Sequence, residues 1–333
     1  ASLLWRPRAP PCCSAGSPPH PHIPCSPAGG PSDWLMAGAG LPSALRAQEL
    51  ATALTGWLGL SDVGRLHAAG PRAVEAAVRE AASRHGGRRR WLYVFGGTGP
   101  PSLNCMESFD SCTGQWQALP PMRMRCYGHA AAVTAGCIYV CGGFGGEPPL
   151  RAVERLGPED GQWEAVTPMS SQRCDFALAA AAGRLYACGG AGNPRGSGRP
   201  LSTVERLDTS QDRWEALPPM TIGRAGLAAA ALRGQIYACG GADQHGQDSK
   251  SGERFDSDTG RWKALPPMSS GRSGLAAAAL EGGSAALYVL GGRVHGRPTG
   301  SVERLALGSR KWETLQAMPV RAAAGGCAAA WAG

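Results

Sequence analysis

Glu107, Glu154, Glu205, Glu253 and Glu303 recur along the chain in step with Arg125, Arg173, Arg224, Arg272 and Arg321. A carboxylate and a guanidinium repeated at one interval can either hold a framework or hold a ligand. Under the structural reading the pairs share charge and backbone hydrogen bonds, which suits the several donors of an arginine fork. If they are buried, removing one partner costs on the order of 3–5 kcal/mol. Under the functional reading some of the guanidinium groups face a central opening and take an acidic ligand. Recurrence in every copy favours the framework. Arg155, Arg206, Arg254 and Arg304 directly follow four of the glutamates, so on a strand they point to the opposite face.

The remaining reactive residue types form no catalytic set. His129, His245 and His295 have no repeated carboxylate and no metal-ligand spacing. Twelve cysteines are present, none in CxxC spacing. Cys141, Cys188 and Cys239 occupy one recurring position where Phe95 and Leu290 stand in other copies, so they read as small core residues. Disulfides are therefore not expected, and a reducing compartment, cytoplasm or nucleus, is. The paired glycines lack the GxGxxG or GxxxxGK context of a nucleotide cradle. No cofactor, metal or enzymatic activity is expected.

Charge excludes little else. The net charge is +8, with +5 on residues 1–90 and +3 on the rest. Only Arg88, Arg89 and Arg90 form a basic run, so nucleic acid is not an expected partner. No apolar stretch is long enough for a membrane helix.

These residues must be positioned by a repeat. The doublets Gly96-Gly97, Gly142-Gly143, Gly189-Gly190, Gly240-Gly241 and Gly291-Gly292 recur every 46 to 51 residues. Trp116, Trp163, Trp214, Trp262 and Trp312 follow them at a fixed place. Each unit reads as four short strands: an Ala-rich strand, an aromatic strand ending in the doublet, a glutamate strand and a tryptophan strand. One such sheet cannot bury both faces, so neighbouring sheets must cover it in a ring. The strand at Trp91 has no Ala-rich strand before it. The segment after Arg321, with Gly326 to Trp331, can supply it and close the ring. Five blades are expected, with an incomplete ring of six as the alternative.

Before the repeat lie two other segments. Residues 1–39 are rich in Pro, Ser, Gly and Ala and read as disordered or leader sequence. Residues 40–87 carry Leu45, Leu50, Leu54, Trp57 and Leu58 at helical spacing and read as a small helical module. Residues 88–333 hold the repeat.

The repeat resembles the kelch family of β-propellers. The doublets carry the likeness, with Tyr139, Tyr186, Tyr237 and Tyr288 three residues before them. So do the downstream Val-Glu and each Trp six residues ahead of Met122, Met169, Met220, Met268 or Met318. The resemblance implies an all-β, four-stranded-blade propeller that binds proteins. Residues Leu41-Pro42 through Leu66 resemble an F-box, which implies a recognition subunit of a cullin-type, SCF-like ubiquitin ligase. Leu41, Pro42, Leu54, Trp57 and Leu58 would then contact the ligase adaptor. A stand-alone kelch scaffold or cytoskeletal binder is the alternative, with the helices bracing the propeller; a propeller enzyme is the remaining one.

Specificity is expected in the loops that follow the doublets, since their lengths differ while the framework repeats. Their candidate contacts are Phe144, Arg151, Arg195, Arg199, His245, Lys250, Arg293, His295 and Arg297, with Met124 and Tyr127 as apolar anchors. The excess of Arg and His favours an acidic peptide or protein surface.

Overall fold

The computed structural model describes residues 91–97, 103–110, 115–145, 148–157, 161–192, 199–281 and 285–318. The first sheet comprises β1 (Trp91–Gly97), β2 (Leu103–Asp110) and β3 (Gln115–Leu119), in that spatial order. The second holds β4 (Ala130–Thr134), β5 (Cys137–Cys141), β6 (Val153–Leu156) and β7 (Trp163–Val166). The third holds β8 (Ala177–Ala181), β9 (Arg184–Cys188), β10 (Val204–Asp208) and β11 (Arg213–Leu217). The fourth holds β12 (Ala228–Leu232), β13 (Gln235–Cys239), β14 (Gly252–Asp256) and β15 (Arg261–Ala264). In the fifth, β16 (Ala276–Leu280) and β17 (Ala286–Leu290) precede a short hairpin, β18 (Arg293–Val294) with β19 (Arg297–Pro298). Strands β20 (Val302–Ala306) and β21 (Glu313–Leu315) complete that sheet. All pairings are antiparallel, and no helix occurs among the described residues.

Strand alternation sends the two faces of each sheet to different neighbours. Ile138 and Val140 of β5 pack with Met106 and Met122 beside the first sheet. Tyr139 and Cys141, the intervening residues, pack with Phe176, Leu185 and Leu207 of the third region. The same division recurs between sheets three and four and between four and five. The core is thus a series of apolar layers between blades, not one central mass.

Alanine fills the innermost strands for a steric reason. Strands β4, β8, β12 and β16 adjoin one another in succession. Blades converge there, and only short side chains fit at native packing density. The tryptophans lock the outer ends. The indole N–H of Trp163 donates to Pro120 O, and Trp214, Trp262 and Trp312 donate to Thr167, Pro218 and Pro266, each at 2.8 Å. Every bond runs from one blade to the blade before it. All four rings therefore serve the framework.

The expected helical module over 40–87, the segment 1–39 and the closing strand after Arg321 lie outside the described residues. No described helix is long and apolar enough to cross a membrane.

Candidate functional site

The doublets organise one face of the propeller. Both glycines of each described doublet from Gly142 onward have positive φ, for example 64° and 98° at Gly189 and Gly190. Close contact adds to that demand: a Cβ on Gly189 would lie 2.6 Å from Arg224 O. Glycine is required there by the backbone.

The arginine of the following blade closes the doublets Gly142-Gly143, Gly189-Gly190 and Gly240-Gly241. The Gly190 N–H donates to Arg224 O, and the Arg224 N–H donates to Leu201 O. The Arg224 guanidinium then reaches its own blade, donating to Gly240 O and Ser251 O at 3.0 Å and to Glu253 at 2.9 Å. Arg173 does the same with Gly189 O, Thr203 O and Glu205, and Arg272 with Gly291 O, Ser301 O and Glu303. All three arginines are fully buried. Their heads are spent on framework acceptors, so the ligand-holding reading of these groups falls away. Burial would raise the Glu205 carboxyl, but hydrogen bonds from Ser170 and Arg173, with the Arg173 charge, hold it below its usual range.

Blade two corrects one expectation. Counting four residues from Met169, Met220 and Met268 reaches Arg173, Arg224 and Arg272; counting four from Met122 reaches Cys126. Cys126 is fully buried, whereas Arg125 is exposed and forms no ion pair with a described residue. Glu154 is 4% exposed and accepts the Arg123 N–H at 3.0 Å. Burial raises its carboxyl despite the backbone amides of Arg123 and Met124. Burial, followed by the Glu154 charge, pushes the Cys126 thiol up to about 12, so it is no nucleophile. His129, in the Phe176 position, has a buried Nδ1 with no hydrogen-bond partner, and burial lowers its basicity.

The post-doublet loops and the connections between blades do share one face. Tyr127 bridges Phe144, Cys174 bridges Ala191, Ala225 bridges Ala242 and Ser273 bridges Arg293. Phe144 and Tyr127 exchange two backbone hydrogen bonds, and their rings meet edge-on at 5.4 Å. Both are half-buried, as is Met124. Beside them opens a cleft of about 360 Å³ lined by Gly145, Pro148, Leu150, Arg151 and Gln172.

Arg151, Arg199, His245, Lys250, Arg293, His295 and Arg297 are all exposed. Arg195 lies outside the described residues, as do Leu41, Pro42, Leu54, Trp57 and Leu58. The structure brings the fourth and fifth loops together: the His295 N–H donates to Asp248 Oδ2 at 2.8 Å. Arg293 and Arg297 stand on the two strands of the β18–β19 hairpin, in a segment expected to be a plain loop. His245 sits in a turn tied by its own N–H to Asp243 Oδ1 at 2.8 Å. Nothing in the sequence singles out Asp248, Pro148 or Gln172, because acids, prolines and amides recur throughout its loops.

Among the described residues no three His, Cys, Asp or Glu side chains converge as a metal site. Residues 76–241 match the KLHDC2/KLHL20/DRC7 Kelch-repeats domain family, and residues 223–269 match the Kelch motif family. No curated protein sequence matches the chain. Among solved structures, one titled "Structure of YjhT" has a TM-score of 0.58 at 18% identity, covering 68% of this chain and 81% of its own. That likeness carries the fold alone. The family matches, the doublets and the inter-blade tryptophans together show that this chain carries kelch repeats, folded as a propeller of antiparallel four-stranded blades.

Proposed function

We propose that the loop face binds an acidic segment of a target protein. One observation carries this reading: the variable loops are pinned to the connections between blades on one face, and they present exposed basic residues there. None of Arg151, Arg199, Lys250, Arg293 and Arg297 forms an ion pair with a described residue. Cations kept free on a fixed surface attract an acidic partner and set its register. The Tyr127–Phe144 pair and the Arg151 cleft add an apolar anchor point. Unbiased partner capture with the wild type and with Arg199→Glu/Arg293→Glu/Arg297→Glu tests this. Partners lost in the variant, and lost from the wild type as salt rises, support it. An unchanged set of partners sinks it.

The finer reading is a recognition subunit of a cullin-type ubiquitin ligase, acting in the cytoplasm or nucleus. It rests on the F-box resemblance of residues 41–66 and on the kelch domain family matched. Leu41, Pro42, Leu54, Trp57 and Leu58 would hold the adaptor while the propeller holds the target. Adaptor pull-down should depend on residues 41–69. Pull-down indifferent to their deletion would leave a stand-alone kelch scaffold.

A further inference from the structure

One row of side chains crosses each complete blade at the same register. In blade two it runs Ala132, Tyr139, Arg155, Glu164. In blade three it is Ala179, Tyr186, Arg206, Glu215, and in blade five Ala278, Tyr288, Arg304, Glu313. The glutamate holds the arginine in all three: Arg155–Glu164 and Arg304–Glu313 lie at 2.6 Å, and Arg206 pairs with Glu215. In blade three the arginine so held also lies over the tyrosine of its row, Arg206 Cζ standing 6.0 Å from the centroid of the Tyr186 ring.

Blade four breaks the row. It reads Ala230, Tyr237, Arg254, Lys263. Two cations now stand directly opposite each other across β14 and β15, a destabilising juxtaposition. Arg254 forms no ion pair with a described residue. Lys263 turns to Asp256 at 3.3 Å, and that carboxylate is already engaged by the backbone amides of Asp258 and Thr259 at 3.2 Å. Tyr237 is 3% exposed, and its buried hydroxyl has no hydrogen-bond partner.

We propose that blade four binds an external oxyanion, a carboxylate or a phosphate group, between Arg254 and Lys263. The sister blades show the seat occupied by a carboxylate of their own. An oxyanion there separates the two like charges and draws the guanidinium into the orientation its counterparts hold. Held there, the guanidinium stands beside Tyr237, its register partner, whose buried hydroxyl has no other hydrogen-bond partner. The fork of Arg254 suits a planar carboxylate or a phosphate equally. Lys263 is exposed, so the seat opens to solvent. This site lies on the outer strands of one blade and owes nothing to the loop face.

The full chain, labelled with ¹⁵N-arginine, provides the test. The Arg254 side-chain resonance is assigned by its absence in Arg254→Lys. Inorganic phosphate and acetate are titrated separately, against sodium chloride at equal ionic strength. The expected result is a saturating shift at Arg254 with at least one oxyanion, while Arg206 and Arg304 stay still. Phosphate alone, acetate alone or both then assigns the chemistry. Lys263→Glu supplies an internal carboxylate; it should abolish the shift and raise the melting temperature. No saturation beyond chloride, or a shift undiminished in Lys263→Glu, overturns the proposal.

Discussion

At the scale of single residues, blade two shows what the buried arginine does by lacking it. Glu205 and Glu154 occupy equivalent strand positions and are both almost fully buried. The carboxyl beside Arg173 is held below its usual range, and the one beside Cys126 is raised. The sign of the pH dependence follows. A carboxyl raised in the fold contributes stability below its unfolded value and loses it as pH rises through the folded value. A carboxyl lowered in the fold contributes above its unfolded value and loses it as pH falls. Cys126→Arg should fill the seat and move Glu154 from the first behaviour to the second. The gain is expected to be on the order of 1.5–3 kcal/mol near neutral pH, the range of a hydrogen bond to a charged group. Denaturant midpoints of both proteins at about pH 4 and pH 7 check it. The advantage of the variant should grow toward pH 7, and a flat difference would contradict the account.

At the scale of the element, the doublet is a backbone device and its substitution should behave accordingly. Gly189→Ala forces a side chain onto φ 64° and toward Arg224 O at 2.6 Å. A loss of roughly 1–3 kcal/mol is expected from the strained conformation alone, with more if the inter-blade contact opens. Thermal unfolding measures it, and a neutral effect would show that the doublet can relax. Elements of this kind were legible because their causes are local. Positive φ selects glycine, and two-sided burial selects runs such as Ile138-Tyr139-Val140-Cys141, whose last four strand residues are all buried. Departures from the repeat are harder to read. Arg125 lies one residue from the arginine position, and only the count from Met122 reveals that Cys126 is the true equivalent. The β18–β19 hairpin is two residues per strand, too short for alternation to register. The exchange of glutamate for Lys263 passed unnoticed for another reason. Its meaning depends on the strand opposite, which only the register supplies.

At the scale of the molecule, stability is distributed over interfaces that each join two consecutive blades. The apolar layers divide that way, and so do the tryptophan bonds. A chain of nearest-neighbour contacts behaves differently from a single core. Injury to one interface should loosen the two blades that share it and leave distant ones protected. Trp214→Phe tests this, since it keeps an aromatic ring while removing the N–H that reaches Thr167 O at 2.8 Å, together with part of the indole packed on the core. The expected cost is about 0.5–1.5 kcal/mol for the hydrogen bond, with a further loss for the smaller ring in the layer. Native-state hydrogen exchange locates where the cost falls. Amides of β7 and β11 should exchange faster, and those of β17 and β20, two blades away, should keep their wild-type rates. Equal acceleration in all sheets would mean that the ring opens as one unit. Inter-blade contacts would then act through closure and not through their own pair of blades.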